Sequence, residues 1–379
     1  GFPDESTPVF SYGISPLSYY DQAGFYDIGI DSAQLLSTGK GVVVAVIDNG
    51  LDYSHPLMQS SNILAGYDFI LNSSDPSEQP GTIYGHGTFV TGLLLLTAPD
   101  VSIVPLRVFD GNGVGDQFNV ALAIDWAVNH EVDIINMSFG TTEMIDVLRL
   151  AIEDAAKRKI VMIAAVGNEG SSIPNYPAAH PDVIAVAAVD TLEMLANFSN
   201  YGDYIDLVAP GVNLYSSLAG DYDWGTWSGT SFSAPIVSGT VAMIKQIKNN
   251  YSPAEIQDHL RNTSRTDLLW GSITVPDVQY GYGMINSLNA VSQLSIGDLN
   301  GDGVRDLTDL TMMIDYIKSY NTGGNSSDVE KEGIIVVGGM LDLNCDGNVN
   351  ISDIAIMVHH IYVKWNDFKP CYQAGKGPK

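Results

Sequence analysis

The chain has 379 residues, 45% of them apolar, and a formal net charge of -27 at pH 7. That acidity argues against nucleic acid and anionic membrane as partners, and apolar runs such as Val42 to Ile47 and Leu93 to Leu96 are far too short to span a bilayer. The length suits one large domain followed by a small module.

No signal-like apolar segment lies near Gly1, so a secreted form is expected to have lost its targeting piece. Residues 1 to about 40, rich in Gly, Ser, Tyr and Pro, read as an irregular arm with one short helix near Ser32 to Leu36. Val42 to Ile47 follows as a strand buried on both faces. It ends at Asp48-Asn49-Gly50, where α/β folds place ligands, although on this stretch alone a plain turn aspartate before Gly50 is the preferred reading. Residues 71 to 82 read as a polar loop. Gly85-His86-Gly87-Thr88 then opens an apolar helix, its glycines letting another chain approach His86 closely. The histidines at 55, 130, 180, 259, 359 and 360 lack that setting and read as surface or core residues.

Strands and helices then alternate: a strand at Ile103 to Val108, a helix at Gln117 to His130, a strand at Asp133 to Met137 and an amphipathic helix at Met144 to Arg158. Two more strands follow, Ile160 to Val166 and Val183 to Val189. This rhythm predicts an α/β fold, a mostly parallel sheet with helices on both faces. Asn168, in Gly167-Asn168-Glu169-Gly170, suits either a turn or an amide donor facing a cleft. Gly229-Thr230-Ser231-Phe232-Ser233-Ala234-Pro235 leads into a buried helix. Ser231 at its N-terminus would have the free N–H groups and dipole that favour a nucleophile and its oxyanion. A Gly/Ser-rich loop before a core helix is the alternative. Pro235 is expected in the first turn, and Ser252-Pro253-Ala254-Glu255 predicts a further helix with a capping box.

Taken together, the Asp48, His86, Asn168 and Ser231 motifs, with Asn136 to Gly140 and Val208 to Gly211, resemble the subtilisin-like serine peptidases over about residues 10 to 292. The resemblance implies a subtilisin-like fold and hydrolysis of peptide bonds. Ser231 would be the nucleophile, His86 the base, Asp48 its orienting acid, and Asn168 an oxyanion donor. Ser138, Phe139 and Gly140 would pair with the substrate backbone. Ala165, Val166 and Gly167, with Glu169 and Asn175, would line the pocket for the residue before the cleaved bond, with an apolar or broad preference. Leu57 follows His55-Pro56 where the family's strong calcium site has an acid, so that site is not expected. Phe89 replaces a common second histidine.

Near the C-terminus, the twelve-residue loop Asp298 to Asp309 has calcium-ligand spacing. Asp298, Asn300, Asp302, the Val304 carbonyl, Asp306 and Asp309 occupy positions one, three, five, seven, nine and twelve. The pattern recurs with Asp342, Asn344, Asp346, Asn348, Asn350 and Asp353, and a helix is expected after each copy. The pair predicts two Ca2+ ions in a small all-α module of tandem loop-helix repeats. It resembles a dockerin, which implies docking to a cohesin-like domain, with Leu307, Thr308, Ile351 and Ser352 among the contacts. Departures are Arg305 in place of an apolar residue and a long inter-repeat link.

The expected domains are the arm 1–40, the peptidase domain 41–295 and the module 296–379. No Pro/Ser-rich linker separates the last two, which predicts rigid packing between them. Cys345 and Cys371, the only cysteines, would close a loop of about 26 residues, a bridge worth ~3 kcal/mol, with two free thiols as the alternative. The functional expectation is a secreted or surface-attached endopeptidase acting on protein or peptide substrates. The alternative is an assembly subunit that uses the fold and module to join neighbouring subunits. Sequons at Asn72, Asn197 and Asn325 permit glycans.

Overall fold

The computed structural model describes residues 9–10, 17–220 and 224–295, with Thr311 and Ile314 beyond them. At its centre is an eight-stranded sheet whose pairings are all parallel. From one edge, its strands are Asn62–Ile63, Ser102–Arg107, Val43–Asp48, Ile134–Met137, Val161–Ala165, Val183–Val189 and Leu207–Pro210, with Tyr67–Asp68 also paired to Ser102–Arg107. The central strands are runs of Val, Ile and Ala because helices cover both faces: every residue of Val161–Ala165 and Val183–Val189 is buried.

Two helices cross the middle of the molecule. In His86–Thr97 all residues are buried, and in Thr230–Ile247 all are buried through Lys245. Neither sequence is amphipathic, as expected of helices packed on all sides. The outer helix Asp146–Lys157 buries Leu148, Ile152 and Ala155, one stripe at helical spacing, and its last turn carries Lys157. The capping box forms as expected. The Ser252 hydroxyl accepts the Glu255 N–H, and the Glu255 carboxylate accepts the Ser252 N–H at 2.7 Å.

The N-terminal region holds three short helices, Leu17–Tyr20, Ala23–Asp27 and Ile30–Gln34, where the sequence predicts one. They are too short to show a period, and tertiary contacts hold them. Tyr19 donates to the Gly92 carbonyl at 2.5 Å, inside the histidine helix, and Phe25, Ile28 and Ile30 are buried. The helix Ser287–Ser295 closes the body, with the Ser287 N–H donating to the Ile28 carbonyl at 2.9 Å. Both expected calcium loops, Cys345 and Cys371 lie outside the described residues. Among the described residues, no helix is long and apolar enough to cross a membrane.

Candidate active site

Parallel strands present their C-terminal ends along one edge of the sheet, where side chains can converge on a ligand. Val43–Asp48 ends in Asp48, Ile134–Met137 leads into Ser138, and Val161–Ala165 leads into Gly167 and Asn168. The register pairs Ile47 with Met137 and Met137 with Ala164. Asp48, Ser138 and the Ala165 to Asn168 segment therefore stand side by side. The two central helices start at this row, with His86 the first residue of one and Ser231 the second residue of the other.

His86 Nδ1 lies 2.7 Å from Asp48 Oδ1, and both side chains are buried. A carboxylate oxygen only accepts, so the ring proton sits on Nδ1 and Nε2 is left as the basic nitrogen. The Asn49 N–H also donates to Asp48 Oδ1, at 2.8 Å, which fixes the carboxylate. Aromatic side chains wall the imidazole: Trp227 stands edge-on at 5.7 Å between centroids, and Phe232 lies at 5.5 Å. Phe232 follows Ser231, so the imidazole lies beside the turn that carries the serine. The histidines at 55, 130, 180 and 259 instead engage main-chain groups of Leu57, Trp126, Asp182 and Ala290.

Ser231 and Ser138 are tied reciprocally. The Ser231 hydroxyl donates to the Ser138 carbonyl at 3.0 Å, and the Ser138 hydroxyl donates to the Ser231 carbonyl at 2.7 Å. This corrects the expectation for Pro235. The proline stands in the second turn of Thr230–Ile247, not the first. Lacking an N–H, it cannot bond the carbonyl four residues back, which belongs to Ser231. The Ser138 hydroxyl satisfies that carbonyl instead. Behind Ser138, Asn136 Nδ2 donates to its hydroxyl at 3.0 Å, and Ser238 donates to Asn136 Oδ1 at 2.9 Å.

Asn168 Oδ1 accepts from both the Thr230 N–H and the Thr230 hydroxyl, each at 2.9 Å. These donors settle the amide orientation, so Nδ2 is its donor end. Gly167 has φ +102°, and a Cβ there would come within 2.3 Å of Asn175 Nδ2. A Cβ on Gly140 would meet the same amide at 2.5 Å, so Asn175 closes the space between the two segments. Ala165 and Val166 are buried, whereas Glu169 is exposed and accepts from Asn200 Nδ2 at 2.6 Å. The Phe139 ring packs edge-on against Phe109 at 4.9 Å, beside an open cavity of about 610 Å3.

A subtilase family model matches residues 39–283. The chain belongs to the subtilase family. A dockerin type I domain model matches residues 296–362. The subtilase region is 37% identical over 264 residues to the thermophilic serine proteinase of Bacillus sp. (strain AK1), covering 67% of this chain and 62% of that protein. It is 36% identical over 259 residues to Subtilisin BL of Lederbergia lenta, covering 66% and 90%. Among solved structures, fervidolysin from Fervidobacterium pennivorans, a keratinolytic enzyme related to subtilisin, superposes with a TM-score of 0.65 at 27% identity over 76% of this chain and 50% of that one. A lanthipeptide protease superposes at 0.66, with 26% identity over 76% and 99%. The chain thus spans less than two thirds of the length of some relatives. The expected subtilisin-like α/β fold holds.

Several residues around the subtilase site escape sequence reasoning. Thr230 and Asn136 sit inside motifs already singled out but are assigned no role there, and Asn200 is a polar residue in a turn region. Glu78 is different. It lies in the polar loop, eight residues before His86, too far for any helix-capping pattern, yet it is buried and hydrogen-bonded to that helix. Among the described residues, no group of His, Cys, Asp or Glu is arranged to hold a metal ion.

Proposed function

We propose that residues 41–295, with the arm 1–40 as an integral part, form a serine endopeptidase that works through Asp48, His86 and Ser231. The observation that carries this reading is the buried 2.7 Å pair between His86 and Asp48, set at a helix start beside the turn bearing Ser231. The Ser231 hydroxyl turns from the Ser138 carbonyl to Nε2 of His86 and attacks the substrate carbonyl as its proton passes to the ring. Asp48 holds the tautomer and stabilises the imidazolium. Asn168 Nδ2 and the Ser231 N–H donate to the oxyanion. His86 then protonates the leaving amine, and water, activated by the same imidazole, releases the acyl group from Ser231.

Ser138, Phe139 and Gly140 would pair with the peptide backbone, and Ala165, Val166, Gly167, Glu169 and Asn175 would line the pocket. Replacing Ser231 by Ala tests this function. Casein cleavage should fall to background while the melting temperature stays within a few degrees; unchanged cleavage would refute it.

The module 296–379 is proposed to attach the peptidase to a cohesin-like domain outside the cell. Dockerin type I domains bind calcium. The donor set here fits a hard cation, being Asp and Asn oxygens with main-chain carbonyls. Asp298, Asn300, Asp302, Val304, Asp306 and Asp309 would hold one ion, and Asp342, Asn344, Asp346, Asn348, Asn350 and Asp353 a second. The cation would offset repulsion among the carboxylates and fix each loop.

A further inference from the structure

The first four N–H groups of a helix have no partner within it, and in the histidine helix each has a specific one. Glu78 Oε2 accepts from Gly85 at 2.6 Å, and the Ile83 carbonyl accepts from His86 at 3.0 Å. Asn49 Oδ1 accepts from Gly87 at 2.8 Å, and Glu78 Oε1 accepts from Thr88 at 2.6 Å. Glu78 Oε1 also accepts from the Thr88 hydroxyl at 2.8 Å. That hydroxyl itself accepts from the Asp52 N–H at 2.9 Å, so its own proton is aimed at Glu78.

Glu78 is anchored to the segment after Asp48: its N–H donates to the Leu51 carbonyl at 3.2 Å, and the Leu51 N–H donates to the Pro76 carbonyl at 3.1 Å. The helix start touches the same segment, since a Cβ on Gly87 would lie 2.2 Å from the Gly50 carbonyl oxygen.

We propose that Glu78 is a positioning residue for His86: its carboxylate clamps the start of the histidine helix onto the strand end bearing Asp48 and adds a second negative charge beside their pair. The proposal rests on reading Asp48, His86 and Ser231 as the reacting groups. A neutral side chain could cap this helix with less desolvation, so a buried carboxylate so near another is a choice that stability alone does not explain. The ionisable neighbours are Asp48 on the strand end, His86 on the capped helix and, across Thr88, Asp52, whose carboxylate faces Ser54 and Gly220. Among the described residues, no lysine or arginine pairs with Glu78. Burial raises its carboxyl to about 7, with the Asp48 charge adding, while the hydrogen bonds from Thr88 and Gly85 oppose the rise.

The test is the pH dependence of peptide p-nitroanilide hydrolysis by the wild-type chain, Glu78→Gln and Glu78→Asp. Glutamine must turn an N–H2 toward one of the donors, and it carries no charge. The expected result for Glu78→Gln is kcat lower by about ten- to a hundredfold with KM little changed. The acid limb of kcat/KM should also move to lower pH by about half a unit to one unit, because an imidazolium has lost a nearby negative charge. Glu78→Asp keeps the charge and should return the limb to its wild-type position. Thr88→Val serves if Glu78→Gln does not fold. It removes one donor to the carboxylate, so Glu78 takes up its proton more readily, its charge is lost over more of the pH range, and the limb should again move to lower pH. Profiles that superimpose on wild type overturn the proposal alone. A wild-type chain without amidase activity overturns the triad reading and this proposal with it.

Discussion

The reciprocal tie between Ser138 and Ser231 gives a prediction that can be worked in detail. Replacing Ser138 by Ala removes the hydroxyl that satisfies the Ser231 carbonyl and that accepts from Asn136 Nδ2. Both groups belong to buried residues, and the Ser231 carbonyl has no helical bond to fall back on at the usual position, because Pro235 offers no N–H. An unsatisfied buried group costs about 1–3 kcal/mol, so Ser138→Ala should lower stability by about 2–6 kcal/mol. Pro235→Ala alone leaves a small cavity, with a loss of about 1.5 kcal/mol for two buried methylenes. In the Ser138→Ala background, however, Pro235→Ala also restores a backbone N–H at that position, which can reach the orphaned carbonyl and recover about 1 kcal/mol. The two substitutions should therefore couple by about 1 kcal/mol in a double-mutant cycle. Guanidinium unfolding at constant m would measure it, in a Ser231→Ala background that prevents self-digestion and leaves the carbonyl in place. Additive losses would refute the idea that the Ser138 hydroxyl replaces the missing helix bond.

Other outcomes follow from the same geometry. Glu78 has a folded-state carboxyl near 7, above its unfolded value of about 4.3. A raised carboxyl favours folding fully below the unfolded value and loses that contribution as pH rises through 7. The stability of wild type relative to Glu78→Gln should thus fall by about 3 kcal/mol between pH 4 and pH 8; a constant difference in urea unfolding would contradict the assignment. Asn168→Ala should lower kcat by about 10²–10³-fold with KM little changed, the magnitude known for the corresponding donor of a subtilisin, and steady-state kinetics would check it. Gly167→Ala places a side chain at φ +102° and against Asn175, so a loss of about 1–3 kcal/mol is expected in thermal unfolding, with a higher KM. Chelating calcium should abolish binding to a cohesin-like domain in a pull-down while hydrolysis of a small peptide persists.

Much of the candidate site was legible because each of its proposed residues sits where a local pattern changes. Asp48 ends an apolar strand, His86 stands between glycines at a helix start, Asn168 follows a strand, and Ser231 opens an apolar helix. The alternation of strands and helices gave the sheet, since strands buried on both faces leave continuous apolar runs. What stayed hidden depends on tertiary contact. Glu78 meets its helix only because the preceding loop is pinned at Leu51. Pro235 breaks the rule for helix interiors because Ser138, just past the strand Ile134–Met137, supplies the missing bond. The short N-terminal helices have no period to read and are held by contacts such as Tyr19 with Gly92.

The most direct test of the account is to inactivate the chain with a sulfonyl fluoride and map the adduct by peptide mass spectrometry. The account predicts one label, on Ser231, with casein hydrolysis lost in proportion to labelling and labelling suppressed by His86→Ala. Persistent hydrolysis by fully labelled protein, or a label on any other residue that accompanies inactivation, would contradict it.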